Sequence, residues 1–261
     1  MPSEVSLIHP YYNNETRLAL QLDVWSKWSP EVCKAVDITL VDDGSPRPLV
    51  FTDEQKKMFN DKGIKVAVYR ILEDLKWNTP GALNLGVFVA PKAWVLFMDS
   101  DCFFPSSEWE KILKLEHPMN RIGKFKRQRY GDPKVENLKN DRYLNCTMLM
   151  HKTIFTTLGG FDEDFTGKNS GGYGFFDTDF DWRAQRLGVW SERSSNGKHH
   201  VYSNIVAGEW MPTVCAEPVA RDHGSHHAIN KALLDAKYKN EKPRNKQILN
   251  FSWKQTYSNW L

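Results

Sequence analysis

The first hundred residues switch repeatedly between two hydrophobic periods. Residues 5–9 form a short apolar run that ends at Pro10, and residues 37–41 form a β-branched run that stops at Asp42-Asp43-Gly44-Ser45-Pro46. Residues 64–69 alternate like a strand, and residues 93–98 are continuously apolar up to Asp99. Between these runs the spacing turns helical. Residues 15–28 place Leu18, Leu22, Val24 and Trp25 at helical intervals, residues 53–62 follow a Thr52 or Asp53 cap, and residues 80–90 follow a Thr79 cap with Pro80 in the first position. Strand and helix alternate four times. That order predicts an α/β fold with a mainly parallel central sheet and helices on both faces.

The second half is less regular. Helices are predicted over 109–115, 153–158, 178–187 and 228–240, and strands over 144–150 and 201–206. Residues 121–129 read as a basic, solvated edge strand. Residues 159–174 read as a Gly-rich loop, its 166–174 part a lid, and the last twenty residues as a basic, Trp-containing tail. With no internal repeat, low-complexity tract or linker, the pattern predicts one domain over 1–225 and a C-terminal helical extension over 226–261.

Composition narrows the class. A chain of 261 residues buries about 70–75% of its unfolded surface and needs no staple to fold. With 41% apolar and 26% charged residues it is neither fibrous nor extensively disordered. A net charge of +3, from 35 basic and 32 acidic groups, argues against a nucleic-acid coat, so no nucleic-acid partner is expected. No run of about 20 apolar residues encodes a membrane span, and residues 1–14 do not read as a signal peptide. The four cysteines, Cys33, Cys102, Cys146 and Cys215, form no C-x-x-C pair and suit a reducing compartment. A soluble, cytoplasmic protein is expected.

Candidate chemistry lies at the strand ends. Ligands of open parallel sheets bind outside the carboxyl ends of the strands. Those ends are His9-Pro10-Tyr11, Asp42-Asp43 and Asp99-Ser100-Asp101. A Gly-rich phosphate loop is missing after the first strand, and carboxylates stand at the ends instead. Carboxylates repel a bare phosphate, so a phosphate site here needs a divalent cation. Asp99 and Asp101, two apart beyond an apolar strand, offer hard oxygen ligands suited to Mn²⁺ or Mg²⁺. The competing reading is a turn in which Asp serves local backbone bonding.

Taken together, SLIHPYYNN, ITLVDDGSP, WNTPGALNLG, WVLFMDSD and GGFDEDFTG with GGYGFFDTDFDWR resemble glycosyltransferase family 2, with its GT-A (Rossmann-like) fold, in order and spacing over residues 6 to 188. The resemblance implies a nucleotide-binding half over about 1–105 and an acceptor-binding half over about 106–225. It implies that Pro10 and Tyr11 lie beside base and ribose, and that Asp42 or Asp43 bonds the base. Arg70, Asn78 and Asn84 fall in segments that line the nucleotide pocket. Asp99 is placed near ribose or metal, Asp101 as the firmer metal ligand, and His223 as a third, with His226 the second candidate for that place. Asp177 matches the carboxylate that deprotonates the acceptor, with Arg183 in the usual register and Phe176 where Glu is usual. Asp177 also reads as a helix N-cap.

The resemblance implies a hexosyltransferase using a nucleoside-diphosphate sugar, with UDP the commonest nucleotide. The acceptor is a hydroxyl of a glycan or glycoconjugate. A single base with no covalent intermediate implies inversion at the anomeric carbon, although retaining enzymes share the fold. A nucleotidyltransferase and a non-catalytic sugar-binding module are the alternatives. The first normally carries a Gly-rich basic signature near its first strand, and the second has no need of Asp99, Asp101 and Asp177 together.

Overall fold

The computed structural model describes residues 3–100, 102–115, 119–129, 143–188, 206–210, 223–240 and 248–260; at 126–129, 143–146, 206–210 and 223–225 only the backbone is described. In chain order the elements are β1 (Val5–Tyr11), α1 (Glu15–Ser26), α2 (Pro30–Ala35), β2 (Val36–Asp42), α3 (Asp53–Lys62), β3 (Lys65–Ile71), α4 (Thr79–Val89), β4 (Trp94–Phe97) and α5 (Ser106–Leu113). There follow β5 (Gly123–Arg129), β6 (Tyr143–His151), α6 (Lys152–Thr157), a 3₁₀ turn (Glu163–Phe165), α7 (Gly167–Ser170), α8 (Phe176–Arg186), β7 (Val206–Trp210), α9 (His223–Tyr238) and β8 (Trp253–Ser258).

One eight-stranded sheet has the order β7-β5-β6-β4-β1-β2-β3-β8. Its middle is parallel: β1 pairs with both β2 and β4, and β2 with β3. Antiparallel pairs flank this block, β4 with β6 on one side and β3 with β8 on the other. The fold is therefore the predicted α/β arrangement.

Alternation along the strands divides the core into two faces. Leu7 of β1, Ile38 and Leu40 of β2, Leu96 of β4 and Leu149 of β6 pack with Trp25, Val32, Phe59 and Trp109 from α1, α2, α3 and α5. On the opposite face Ile8, Val95, Phe97, Met148 and Met150 pack with residues of α4, α6 and α8. Helix α4 is buried along most of its length and approaches the sheet closely at Gly86, where a Cβ would run into Ile8.

Pro10 sits in a central strand at no cost to the ladder. The Ile8 carbonyl faces β4 and accepts from Met98 N at 3.1 Å, while Tyr11 O faces β2 and accepts from Asp43 N at 2.9 Å. The missing donor of Pro10 therefore faces the β4 side, and β4 has already ended at Phe97.

Several expectations change. Helix α2, six residues with Pro30 at its start, is too short to show a helical period. β5 lies between β6 and β7 rather than at an edge, and Lys124 and Phe125 are both buried. The expected strand over 201–206 meets the described residues only at Val206, where β7 begins, and 201–205 lie outside them. The basic tail contains β8, which extends the sheet beyond β3. Helix α9 begins at His223, five residues before the predicted start. Cys33 and Cys102 are both buried.

Candidate active site

The carboxyl ends of four adjacent parallel strands open on one cleft of about 510 Å³. His9, Pro10 and Tyr11 close β1, and Tyr12 follows it; Asp43 follows β2; Asp74 to Trp77 and Thr79 lie after β3; Asp99 and Ser100 lie after β4; Asn14, Arg17 and Leu18 open α1. Asn14 caps that helix, its Oδ1 accepting from Arg17 N at 3.0 Å. This fixes the start of α1 beside the cleft, and Arg17 Nη1 reaches Ser100 Oγ at 3.1 Å. Gln21, one turn on, holds the same loop through the carbonyls of Ser100 and Cys102.

Asp42 and Asp43 are adjacent but do different work. Asp42 is buried below the rim, where it accepts from Ser45 N and Leu49 N and pairs with Arg70 Nη1 at 2.5 Å. It shapes the Asp42-Asp43-Gly44-Ser45 turn, and neither it nor Arg70 lines the cleft. Asp43 does line it and accepts from Asn78 Nδ2 at 3.0 Å. Burial pushes the Asp43 carboxyl up to about 7, the Asn78 bond works against this, and the charges of Asp42 and Asp74 add to it. Asn78 immediately precedes α4, yet its side chain makes no capping bond there and serves Asp43. Asn84, also on α4, points elsewhere: it bonds Phe161 N and O and Glu163 Oε1.

Among the described residues the cleft's carboxylates are Asp43, Asp74 and Asp99, against the cations Arg17 and Lys76. Their hard oxygen atoms are of the kind that suits Mn²⁺ or Mg²⁺. Among the described residues no group of three or more His, Cys, Asp or Glu forms a metal cage. Asp101 lies outside the described residues, as does the side chain of His223. His226 engages Gly171 O through Nδ1 at 2.9 Å.

The Gly-rich segment is pinned rather than free. Gly167 N and Lys168 N bond the carbonyls of Trp77 and Lys76 at 3.3 and 3.0 Å, and Tyr173 stacks on Trp77 with centroids 4.9 Å apart. Asn230 of α9 holds it from behind through Phe165 O and Gly174 O. Trp77, on the cleft wall, and Phe175, at the entry to α8, have φ of 52° and 65°. Such left-handed geometry is costly for an aromatic residue and concentrates at functional sites.

Phe175 rather than Asp177 flanks the start of α8, so Asp177 is a first-turn residue and not the N-cap. Its carboxylate accepts from Thr178 N at 2.8 Å. Burial raises its pKa, while that bond and the Lys124 charge oppose the rise. Asp181, one turn later, is pushed up to about 6, chiefly by burial, despite its ion pair with Lys124. Asp179 pairs with Arg183 at 2.8 Å.

The model of Glycosyl transferase family 2 matches residues 6–185. The chain belongs to glycosyltransferase family 2. No curated protein matches its sequence significantly. Among solved structures, the chain resembles the mannosyltransferase PcManGT from Pyrobaculum calidifontis, in complex with GDP-Man and Mn²⁺, at 16% identity and a TM-score of 0.53; 93% of this chain and 66% of that one are covered. It also resembles S. aureus TarS 1-349, at 18% identity and a TM-score of 0.51, over 69% of this chain and 55% of that one. The chain thus spans about half of the TarS fragment. At these identities the likeness establishes the GT-A fold.

Of the residues named from sequence, the cleft gathers Pro10, Tyr11, Asp43, Asp99 and Ser100, with Asn78 one bond behind. Asp42, Arg70, Asn84 and Asp177 are not among its lining residues. Sequence reasoning missed Arg17, Lys76 and Trp77, which become neighbours only when the β3–α4 loop and α1 meet. It also missed Lys124, disguised by its basic surroundings. His9 carries a signal that was there to read, a histidine closing a central strand. Burial lowers its pKa to about 4, and its Nδ1 has no hydrogen-bond partner among the described residues.

Proposed function

We propose that this family 2 glycosyltransferase moves a hexose from a UDP-sugar to a hydroxyl of a glycan or glycoconjugate, with divalent-metal dependence and inversion. The observation that carries the reading is the cleft at the carboxyl ends of β1, β2, β3 and β4, with Tyr11, Asp43, Asp99 and Ser100 on its wall. A UDP-sugar is supported by TarS 1-349, solved with UDP-GlcNAc, although PcManGT was solved with GDP-Man.

In this reading Tyr11 offers its ring to the base, and Asp43, oriented by Asn78, accepts a base N–H. Asp99, Asp101 and His223 would hold Mn²⁺ or Mg²⁺, which supplies charge neutralisation for the departing diphosphate. Asp177 takes the acceptor's proton as the acceptor oxygen bonds to the anomeric carbon. The bond from that carbon to the phosphate oxygen breaks, and its electron pair leaves with the nucleotide. The raised pKa of Asp177 makes it a stronger base than a solvated carboxylate.

The test is the thermal midpoint with UDP, GDP, CMP and dTDP, each with Mn²⁺ and with chelator. A ligand at about 100 times its dissociation constant adds roughly 2.7 kcal/mol. A shift with UDP that chelator removes is the expected result. A shift with GDP alone overturns the choice of base, and no shift with any nucleotide favours a sugar-binding module.

A further inference from the structure

Arg17 of α1 lines the cleft, and two bonds fix it there. At its root, the Asn14 cap accepts from its backbone N–H at 3.0 Å. At its tip, Nη1 donates to Ser100 Oγ at 3.1 Å. Ser100 is itself held, because the Gln21 amide donates to its carbonyl at 3.2 Å and to that of Cys102 at 2.6 Å. Gln21 is buried, so this clasp belongs to the packing of α1 on the sheet. Arg17 is half-buried and its guanidinium borders the open cleft.

The fold gains little from a cation at this place. Among the described residues Arg17 pairs with no carboxylate, and Glu15, the acid of the same turn, pairs with Arg47 at 3.3 Å. A single bond to a neutral hydroxyl contributes about as much as ordering so long a side chain costs. The first turn is also the positive end of the helix dipole, where a cation is disfavoured. What the position does supply is a permanent charge whose planar donor edge is mostly unspent. Such an edge matches the oxygens of a phosphate. Its location is specific as well. Ser100 and Asp99 follow β4, with β1 standing between them and the Asp43 end of β2. The guanidinium is therefore on the Asp99 side of the cleft, away from the groups assigned to the base.

We propose that Arg17 binds the diphosphate of the donor and stabilises it as it leaves: the guanidinium, anchored on Ser100 Oγ, donates to phosphate oxygens while Tyr11 and Asp43 hold the base. The inference rests on the nucleotide-sugar reading of the cleft, and it is the same for any base. In the transfer step the bond from the anomeric carbon to the phosphate oxygen breaks and the electron pair stays on that oxygen. Arg17 meets the added charge by hydrogen bonding and gives up no proton.

The test separates phosphate from base. Dissociation constants of uridine and UDP, and of guanosine and GDP in parallel, are measured by ligand-observed NMR in Mn²⁺ for the wild type, Arg17→Gln and Arg17→Lys. In Arg17→Gln the constant of the diphosphate is expected to rise about 10–100-fold, the loss of a charged hydrogen bond, and that of the nucleoside to stay within about twofold. Arg17→Lys keeps the charge without the planar edge and should fall between. In wild type labelled with ¹⁵N-arginine, the Arg17 Nε signal, assigned by its loss in Arg17→Lys, should move with the diphosphate and stay still with the nucleoside. Equal losses for nucleoside and diphosphate would mean that Arg17 only holds the Ser100 loop, and would overturn the proposal. So would an unchanged diphosphate constant, or an Arg17 signal that the diphosphate leaves in place. Should Arg17→Gln fold poorly, Arg17→Lys and the wild-type spectrum still decide it. Failure of the underlying reading looks different: the wild type then binds neither diphosphate, and the inference falls with it.

Discussion

Replacing Asp43 by Asn should stabilise the unliganded protein at alkaline pH while weakening its hold on nucleotide. The Asp43 carboxyl is pushed from an ordinary 3.8 up to about 7, first by burial and then by Asp42 and Asp74, against the bond from Asn78. A gap of about three pH units corresponds to about 4 kcal/mol of preference for the protonated form. Because the folded pKa is the raised one, this contribution is full below about pH 4, fades between about 4 and 7, and is lost above 7. Asn carries no ionisable proton, and its amide oxygen can still accept from Asn78 Nδ2. At pH 8 the variant should therefore melt on the order of 10 °C above the wild type, at about 2–4 °C per kcal/mol for a chain of this size. At pH 5 the gap should shrink to roughly a third of its value at pH 8, and the two should coincide only near pH 4. The assay is thermal unfolding from pH 5 to 8.5, paired with UDP titration at each pH. Wild-type affinity for UDP should rise through pH 7 as the carboxylate ionises, and the variant should show weaker, pH-independent binding. A melting difference that is constant across pH, or a variant less stable than wild type at pH 8, would refute the reasoning.

Asp177→Asn should lower transfer by about 10²–10⁴-fold and leave the nucleotide-induced thermal shift intact, which enzyme assay and melting together check. Lys237→Ala should cost about 3–5 kcal/mol in urea unfolding, because it strips the buried ammonium that pairs with Asp162 at 2.8 Å and Asp164 at 2.6 Å. Asn84→Ala removes bonds to Phe161 N, Phe161 O and Glu163 and should cost about 2–4 kcal/mol in the same assay. A loss of UDP affinity without loss of stability in that variant would instead return Asn84 to the cleft.

The parallel centre of the sheet was legible because each strand there is a short apolar run with a sharp polar end. Those ends gave Tyr11, Asp43, Asp99 and Ser100 by the strand-end rule alone, before any partner was known. What sequence could not supply was which of two neighbouring carboxylates faces the ligand. Asp42 and Asp43 look equivalent in a row of letters, and only the Asp42–Arg70 pair shows that one of them is spent on the turn. Lys124 failed for a related reason. In Lys-Phe-Lys-Arg-Gln-Arg the charge density signals solvent, and the contrary fact, a strand hydrogen-bonded on both sides with Asp181 above it, is entirely non-local. β8 was invisible because an edge strand with one half-wet face has no strong alternation of its own.

The placement of β8 bears on how the protein assembles. Thr256 reaches back to the carbonyl of Val68 across 188 residues of sequence. During synthesis β3 and its neighbours are made long before the segment that covers β3. Until then the parallel block of the sheet presents an open row of backbone donors and acceptors beside Tyr69 and Ile71, the kind of edge that recruits other chains. Closing so long a loop adds little to the equilibrium cost, because the entropy grows only with the logarithm of length, but it delays the last contact. The half of the molecule that reads most clearly in the sequence is thus the half that waits longest for its final strand, and expression yield should be more sensitive to changes in 253–258 than the exposure of that strand suggests.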